Sequence, residues 1–377
     1  MREKFPLVDV IVLNHNGKAF LDACLSSVLA STYPNFRVHL LDNASTHDDV
    51  AYAAANYPSV HIIRNLLNNG YCAAYNLAFS KCEGAYFLCL NNDVVVAADW
   101  LDHLIEAAES DPGIGALQPK VIAMLDETHF EYAGAAGGMM DMYGFPFMRG
   151  RIFYTVEPDR KQYDSPAKIF WTSGAAMLVR ASALMDTGML DEHIVHHMDE
   201  IDLNWRMQLQ GYHLAIVPSA VIKHYGGATI RAESFSKMYW NHRNSLYIML
   251  KNYEFGNAIR KTFVHLLLDY VAIVVSLFRG EANRSGAILK SHFWIITHLG
   301  LIIRKRREVQ KKRKVSDRQL LSNMYRRSIV WDYFVLGRKR FSDLPSKNLP
   351  DSFKSITESK TRNLNEHHYA TGEVVSK

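Results

Sequence analysis

The feature that most constrains this chain is an alternation, over its first ninety or so residues, between short apolar runs of strand type and segments of helical spacing. Leu7–Asn14 (LVDVIVLN), Phe36–Leu41, Val60–Ile63 and Tyr86–Leu90 (YFLCL) read as strands, with helices at Ala19–Ala30 and Tyr71–Lys81. Runs that are apolar on both faces belong to strands covered on both sides, and their order makes them parallel neighbours. The pattern therefore predicts an α/β fold with a mostly parallel sheet flanked by helices. In such sheets ligands bind beyond the carboxyl ends of the strands. Polar residues gather at those ends: Asn14-His15-Asn16, Asp42-Asn43 and Asn91-Asn92-Asp93. No GxGxxG follows the first strand, which disfavours a dinucleotide-binding dehydrogenase.

A second block begins at Trp171, with helices predicted at Ala181–Asp186 and Asp199–Gln210 and a strand at Tyr212–Val217. A further helix over Arg231–Tyr253 is expected to lead away from the core. Residues 134–150 (GAAGGMMDMYGFPFMRG) read as a mobile loop or irregular insert, either a lid or a plain surface loop. Cys24, Cys72, Cys82 and Cys89 sit in apolar stretches without CxxC spacing, as reduced core residues in a reducing compartment would. With no charged-then-apolar leader before the first strand, a cytoplasmic protein is expected.

Charge divides the chain. Residues 1–230 carry 15 Lys+Arg against 26 Asp+Glu, whereas residues 231–377 carry 28 against 12. The acidic part reads as a catalytic body and the basic part as a surface for polyanions. Two apolar helical stretches follow, 262–278 broken by His265 and Asp269, and 287–303 broken by Lys290, His292 and His298. Neither reads as the roughly 18–20 clean apolar residues that spanning a bilayer needs. Next comes Arg304–Lys314 (RKRREVQKKRK), with eight basic residues in eleven. Amphipathic helices beside a polybasic run suit an anionic membrane surface. The competing reading is an ordinary helical subdomain with a solvated charge run. No zinc-finger or RNP-type motif speaks for nucleic acid. The expected organisation is a catalytic domain over 1–230, a basic helical region over 231–350 and a flexible polar tail over 351–377.

Three clusters carry chemistry. Asp93 ends a strand, where a carboxylate can hold a hard divalent cation that also takes diphosphate oxygens, although an Asx turn explains Asn-Asn-Asp as well. Asp199-Glu200-Ile201-Asp202 opens a helix. Asp202 and Arg206 are spaced to pair at i,i+4, while Glu200 has no such local partner and is the better general base. His224 stands beside Gly226-Gly227, which lets backbone approach a ligand.

In order, the chain shows an apolar strand ending Asn-His-Asn-Gly, then Leu-Asp-Asn-Ala-Ser, Asn-Asn-Gly-Tyr-x-x-x-Tyr-Asn, Leu-Asn-Asn-Asp, Ser-Gly-Ala-x-Met-Leu-Val-Arg, Gly-x-Leu-Asp-Glu, Asp-Glu-Ile-Asp-Leu-x-Trp-Arg and His-Tyr-Gly-Gly-Ala-Thr. Over about residues 7–250 this resembles the family 2 inverting glycosyltransferases of GT-A fold, in the branch with bacterial rhamnosyltransferases. The resemblance implies that Asp42 contacts the base or ribose of a nucleotide diphosphate-sugar, with Asn14, Asn69, Asn76, Asn91 and Asn92 in the same donor cleft. It implies that Asp93 and His224 hold a divalent cation, Mn2+ or Mg2+, with Asn91 where the family's first acid usually stands. Glu200 falls at the catalytic base position, with Asp199 as the next candidate. Trp171, Ser173, Gly174 and Ala175 would border the acceptor.

The implied activity is transfer of a sugar, rhamnose being favoured, to a glycan or lipid-linked acceptor in cell-surface polysaccharide synthesis, on the inner face of the plasma membrane. The main alternative is a sugar-phosphate nucleotidyltransferase, for which Asn14–Lys18 makes a poor phosphate loop. A non-enzymatic membrane scaffold is the other.

Overall fold

The structure is a computed structural model and describes residues 5–131, 133–226 and 234–353. The first half alternates as the sequence suggests: β1 (Val8–Asn14), α1 (Lys18–Leu29), β2 (Phe36–Asn43), α2 (Asp49–Asn56), β3 (His61–Asn65), α3 (Tyr71–Phe79) and β4 (Tyr86–Asn91). β1 lies parallel between β2 and β4, with Asn14 beside Asp42 and Leu13 beside Asn91. This register brings the polar strand ends into one row. Both faces of β1 are covered: Val8, Val10 and Val12 pack in one apolar cluster with α1 residues, while Ile11 packs in the other with α3 residues.

The chain continues through β5 (Val94–Val96), α4 (Trp100–Ser110) and β6 (Ile114–Ala123). After a small sheet come β11 (Ala167–Ile169), β12 (Ala176–Arg180), α5 (Ala181–Thr187), α6 (Asp199–Leu209) and β13 (His213–His224). The main sheet has the order β11-β13-β6-β12-β4-β1-β2-β3, with β5 paired to β13. Its second half is mixed, because β12 runs antiparallel to β4 and β6 while β13 runs parallel to β6. β13 outruns its predicted end at Val217. The ladder breaks between Val217 and Val221, a stretch containing Pro218, then resumes and sets His224 opposite Val94. Proline cannot donate to a ladder, so a sequence reading stops where the strand only bulges.

The expectation of a mobile loop over 134–150 is corrected. The segment contributes to a four-stranded antiparallel sheet of β7 (Gly138–Met140), β8 (Pro146–Met148), β9 (Arg151–Ile152) and β10 (Thr155–Val156). Met139, Met140 and Phe147 are buried. The glycines permit close packing rather than motion: a Cβ on Gly138 would overlap the Trp171 indole.

α7 (Phe235–Asn252) does not lead away from the core, as the sequence suggested. Leu246, Tyr247, Ile248 and Met249 on it are fully buried. Lys251 Nζ lies 2.6 Å from Asp191 Oδ2 and 2.9 Å from Asp202 Oδ1. Arg206 Nε donates to Asp202 Oδ2 at 2.8 Å, and the Tyr247 hydroxyl to Asp191 Oδ2 at 2.8 Å. α7 is thereby fixed to α6 and to the loop before it.

α8 (Phe255–Phe278), α9 (Ala282–Thr297) and α10 (Leu299–Lys312) follow. α8 is longer than the 262–278 stretch read from the sequence, and by length and composition it is long and apolar enough to cross a membrane. The residues that broke the run in the sequence, His265 and Asp269, are buried, leaving the outward side apolar. Phe255, Ile259, Phe263, Leu267, Tyr270 and Val274 form an exposed stripe on it at helical spacing. α9 and α10 meet at a bend of 72°.

The basic run is only partly free. Arg306 donates to Leu250 O and Tyr253 O, Arg313 donates to Asn252 O and Val315 O, and Lys312 donates to Asp186 O. Beyond it the chain returns to the small sheet, where Tyr325 N donates to Met140 O at 2.9 Å and Phe341 N to Glu157 Oε1 at 3.1 Å. Phe353 is still buried, and the rest of the expected tail lies outside the described residues.

Removing Lys251 would leave two buried carboxylates short of their shared cation, a loss worth about 3–5 kcal/mol. Lys251→Ala is expected to lower the denaturation midpoint by a corresponding amount, measured by urea titration. A shift below about 1 kcal/mol would contradict the structural role given to this network.

Candidate active site

The site forms where β1, β2, β4 and β13 end. Asn14 is fully buried, and its amide is used on three sides. Its Nδ2 donates to Asp49 Oδ1 at 3.0 Å and Ser45 Oγ at 3.2 Å, while its Oδ1 accepts from Asn92 Nδ2 at 2.6 Å. Asn14 and Asn92 therefore brace each other. Gly17 makes room for that contact, since a Cβ there would overlap Asn92 Nδ2.

Asp42 is also fully buried. Its Oδ1 accepts from Ser45 N at 3.3 Å, but its Oδ2 has no hydrogen-bond partner, and Arg64 Nε stands 3.9 Å away. An unsatisfied carboxylate oxygen at a strand's carboxyl end is costly unless a ligand completes it. Asn69 Oδ1 accepts from Asn65 Nδ2 at 2.9 Å on the adjacent rim.

Asn76 lies elsewhere. Its Nδ2 donates to Leu190 O and Glu192 Oε1, and its Oδ1 accepts from Leu190 N, so the amide holds the loop after α5 rather than facing a donor.

Asp93 and His224 meet. His224 Nε2 is 3.1 Å from Asp93 Oδ1, and His224 Nδ1 is 3.1 Å from Glu131 Oε2. All three side chains are nearly buried. Burial alone would depress the imidazole, but the two carboxylates outweigh it and hold its pKa up at about 9. Gly226, the first glycine of the pair, leaves space for Glu131, and Gly227 lies outside the described residues. Two buried carboxylates around one imidazole attract positive charge, which a proton on His224 or a divalent ion can supply. Carboxylate and imidazole donors suit Mn2+. The residues present thus fit the cation that the resemblance implied. Among the described residues the backbone of Asn91 links this corner to β12, its N–H donating to Ala175 O at 3.0 Å.

At the start of α6, Glu200 faces Gly174: a Cβ there would stand 3.7 Å from Glu200 Oε1 and 3.8 Å from Tyr71 Oη. Burial and the neighbouring Glu200 push the Asp199 carboxyl well above the usual range, and burial raises Glu200 as well. Two carboxyl groups this close in a buried site titrate as a pair, and Glu200 is the member that faces the open space at Gly174. The backbone before this helix is strained, with His197 at φ 61° and Met198 at φ 63°. Asn244 Nδ2 holds it from α7, donating to His196 O at 2.7 Å and His197 O at 2.8 Å.

Two acceptor-side expectations are corrected. Trp171 is buried, its indole N–H donating to Met139 O at 2.7 Å, so it supports the small sheet. Ser173 is fully buried, with its hydroxyl donating to Ala133 O. Gly174 keeps partial exposure beside Glu200, and Ala175 is a buried backbone neighbour of Asn91.

The sequence reading missed Glu131 and Tyr71. Glu131 belongs to no local pattern and reaches His224 only through the sheet. The Tyr71 hydroxyl is buried without a hydrogen-bond partner, and its sequence signal was its place in Asn-Asn-Gly-Tyr-x-x-x-Tyr-Asn, which named no role for it.

The glycosyl transferase family 2 model matches residues 9–185. The N-acetylglucosaminyl-diphospho-decaprenol L-rhamnosyltransferase of Mycobacterium tuberculosis is 27% identical over 268 residues, covering 66% of this chain and 86% of the relative. The O-antigen biosynthesis protein RfbC of Myxococcus xanthus is 28% identical over 248 residues, 62% of this chain but 18% of that one. Among solved structures, the mannosyltransferase PcManGT from Pyrobaculum calidifontis in complex with GDP-Man and Mn2+ aligns with a TM-score of 0.50 at 15% identity, over 82% of this chain and 85% of the other. GalNAc-T7 with UDP, GalNAc and Mn2+ aligns at 0.52 and 17% identity, over 66% of this chain and 48% of the other. These likenesses show a GT-A fold.

Glu131→Gln removes one of the two carboxylates that hold the His224 proton. NMR titration is expected to find the His224 pKa moved down from about 9. An unchanged titration would show that Asp93 alone sets it.

Proposed function

We infer that this chain, a member of the family 2 glycosyltransferases through the domain at residues 9–185, moves a sugar from a nucleoside-diphosphate donor to a glycan or lipid-linked acceptor with inversion. The observation that carries this reading is the Asp93–His224 pair at the sheet's carboxyl edge, set in the same row of strand ends as the unsatisfied Asp42 oxygen. Asp42 is assigned to the base or ribose, with Asn14, its neighbour in the sheet register, braced by Asn92, and with Asn69 and Asn91 on the rim. Asp93 and His224 would hold a divalent cation, which when bound supplies positive charge beside the donor diphosphate. Glu200 takes the proton from the acceptor hydroxyl as that oxygen attacks the anomeric carbon and the bond to the nucleoside diphosphate breaks, the diphosphate leaving on the opposite face; Asp199 is the next candidate for the base. Gly174 leaves open the space in front of Glu200. A single displacement inverts the centre and needs one base, unlike a hydrolase with its flanking carboxylate pair.

The family domain disfavours the sugar-phosphate nucleotidyltransferase alternative. The named activity of the M. tuberculosis relative supports rhamnose as the sugar and a polyprenyl-linked acceptor. Such an acceptor lies at a bilayer, and the apolar stripe on α8 supports a membrane-surface position for this chain. We draw the catalytic domain over residues 1–230 and the membrane-associating region over 231–350.

Nucleotide-sugar screening by thermal stabilisation, with and without Mn2+, tests the donor reading, with deoxythymidine diphosphate-rhamnose expected to stabilise most. Asp93→Ala is expected to abolish transfer and the Mn2+-dependent part of nucleotide affinity, whereas affinity that keeps its full Mn2+ dependence would refute the assignment. Glu200→Gln is isosteric but accepts no proton. Turnover should fall about 100-fold or more with donor binding intact. In wild type the acid limb of kcat/KM should lie above the ordinary glutamate range, since burial raises Glu200 and activity is lost as pH falls through its pKa. Turnover within a few-fold of wild type in the Gln variant would move the base elsewhere.

The membrane part has its own readout. The basic residues for it are Arg304, Arg307, Lys311 and Lys314, which are exposed, whereas Arg306 and Arg313 serve as internal donors. Replacing those four with Gln should reduce cosedimentation with anionic vesicles, each contributing about 1 kcal/mol near such a surface. Equal partition to neutral and anionic vesicles, insensitive to salt, would remove the electrostatic part of the reading.

A further inference from the structure

Away from the strand ends, one buried cluster in the helical region is not explained by glycosyl transfer. His242 on α7, His265 and Asp269 on α8, and His292 on α9 converge. His242 Nδ1 lies 2.9 Å from Asp269 Oδ1, and His292 Nε2 lies 2.8 Å from Asp269 Oδ2. His265 Nε2 lies 3.8 Å from the same Oδ2. His265 and Asp269 are each 1% exposed.

The tautomer of His265 decides what this cluster can do. His265 Nδ1 lies 2.7 Å from Tyr143 O, and a carbonyl only accepts, so Nδ1 carries the proton. In the neutral imidazole, His265 Nε2 then presents a lone pair. It is buried without a hydrogen-bond partner and faces a carboxylate oxygen that also presents lone pairs. Stacking on Phe145, with ring centroids 4.2 Å apart and planes 5° from parallel, fixes the ring in that direction. Two electron-rich atoms facing each other in a dry interior are costly unless a cation lies between them.

We propose that His242, His265 and Asp269 form a divalent transition-metal site of zinc type, with His292 steadying the carboxylate, that pins α7, α8 and α9 together. The ligand atoms of His242, His265 and Asp269 all lie within 4.8 Å of one another. Zinc bonds of about 2.0–2.2 Å at tetrahedral angles separate ligand atoms by about 3.4 Å, so the cluster closes on an ion through small rotations. Neutral imidazoles with one carboxylate are donors that zinc accepts. The Tyr143 carbonyl holds the far nitrogen of His265 as outer partners of metal-bound histidines do. The consequence reaches the active site: His242 immediately precedes Arg243 and Asn244, which bond to the carbonyls of His193, His196 and His197 ahead of Glu200. A metal on His242 fixes the helix that holds that strained backbone.

The test uses the full-length protein, stripped with a chelator and titrated with Zn2+ alone, read by metal content per chain and by thermal unfolding. Wild type should bind an equivalent that raises the unfolding temperature. His242→Ala, at the most exposed of the ligands, should weaken that binding about 100-fold or more, while Asp93→Asn, at the donor site, should retain it. His265→Gln should behave as His242→Ala, and if that variant fails to fold, His242→Ala decides. Wild type that binds no Zn2+ at micromolar concentration would overturn the proposal, as would binding unchanged by His242→Ala or binding lost in Asp93→Asn.

Discussion

Four buried charges hold the active-site end of this molecule in place. Asp191 lies in the loop after α5, Asp202 and Arg206 on α6, and Lys251 on α7, all less than one-tenth exposed. Each would be expensive to bury alone, by several kcal/mol, so none of these elements can settle without the others. Burial would raise Asp191, but Lys251, with Lys305 and Arg206 behind it, drives its carboxyl far below the usual range, so it remains ionised. Once α7 is docked by this network, Arg243 and Asn244 reach the carbonyls of residues 193–197. Those contacts keep His197 and Met198 in left-handed backbone, a conformation that costs about 1–3 kcal/mol per residue and survives only where its surroundings impose it. That backbone orients the first turn of α6, where Asp199 and Glu200 stand.

The same physics changes the meaning of the charge asymmetry. An acidic half and a basic half suggested a body and a surface for an outside polyanion. Part of the basic excess instead answers the acidic half directly. Lys251 serves Asp191 and Asp202, and Lys305 stands 3.8 Å from Asp191. Arg306 and Arg313 are spent on the carbonyls at the end of α7. The charge left for an external partner is therefore smaller than the sequence count, and on α10 it includes the exposed Arg304, Arg307 and Lys311.

The sequence was most informative where physics is local. Apolar strands ending in Asn or Asp were legible because burial and function impose opposite demands at adjacent positions, as at Leu13-Asn14 and Leu41-Asp42. It was least informative where a residue's meaning depends on a distant partner. Gly138 reads the same in a mobile loop as under an indole, and only Trp171 decides between them. Glu131 acquires a role only because β13 carries His224 past its bulge to within 3.1 Å. His265 and Asp269 looked like faults in an apolar helix because their partners, Tyr143, His242 and His292, come from three separate segments.

Those same residues decide how α8 would sit at a membrane under the proposed function. The helix is long and apolar enough to cross one, yet Lys261, His265 and Asp269 are buried in the protein at its inner side. Spanning would detach that side and expose it to hydrocarbon, at about 2.5–3.5 kcal/mol for each central Lys or Asp on the translocon scale. It would also break the contacts of Asp269 with His242 and His292. Lying flat would cost neither: the buried side would stay where it is, and the stripe from Phe255 to Val274 would meet the lipid. The balance therefore favours a helix that rests on the interface with its polar side against the catalytic body. Under the proposed function, that pose would leave the exposed side of α10 free to meet lipid headgroups and would set the candidate site, attached through α7, beside the bilayer.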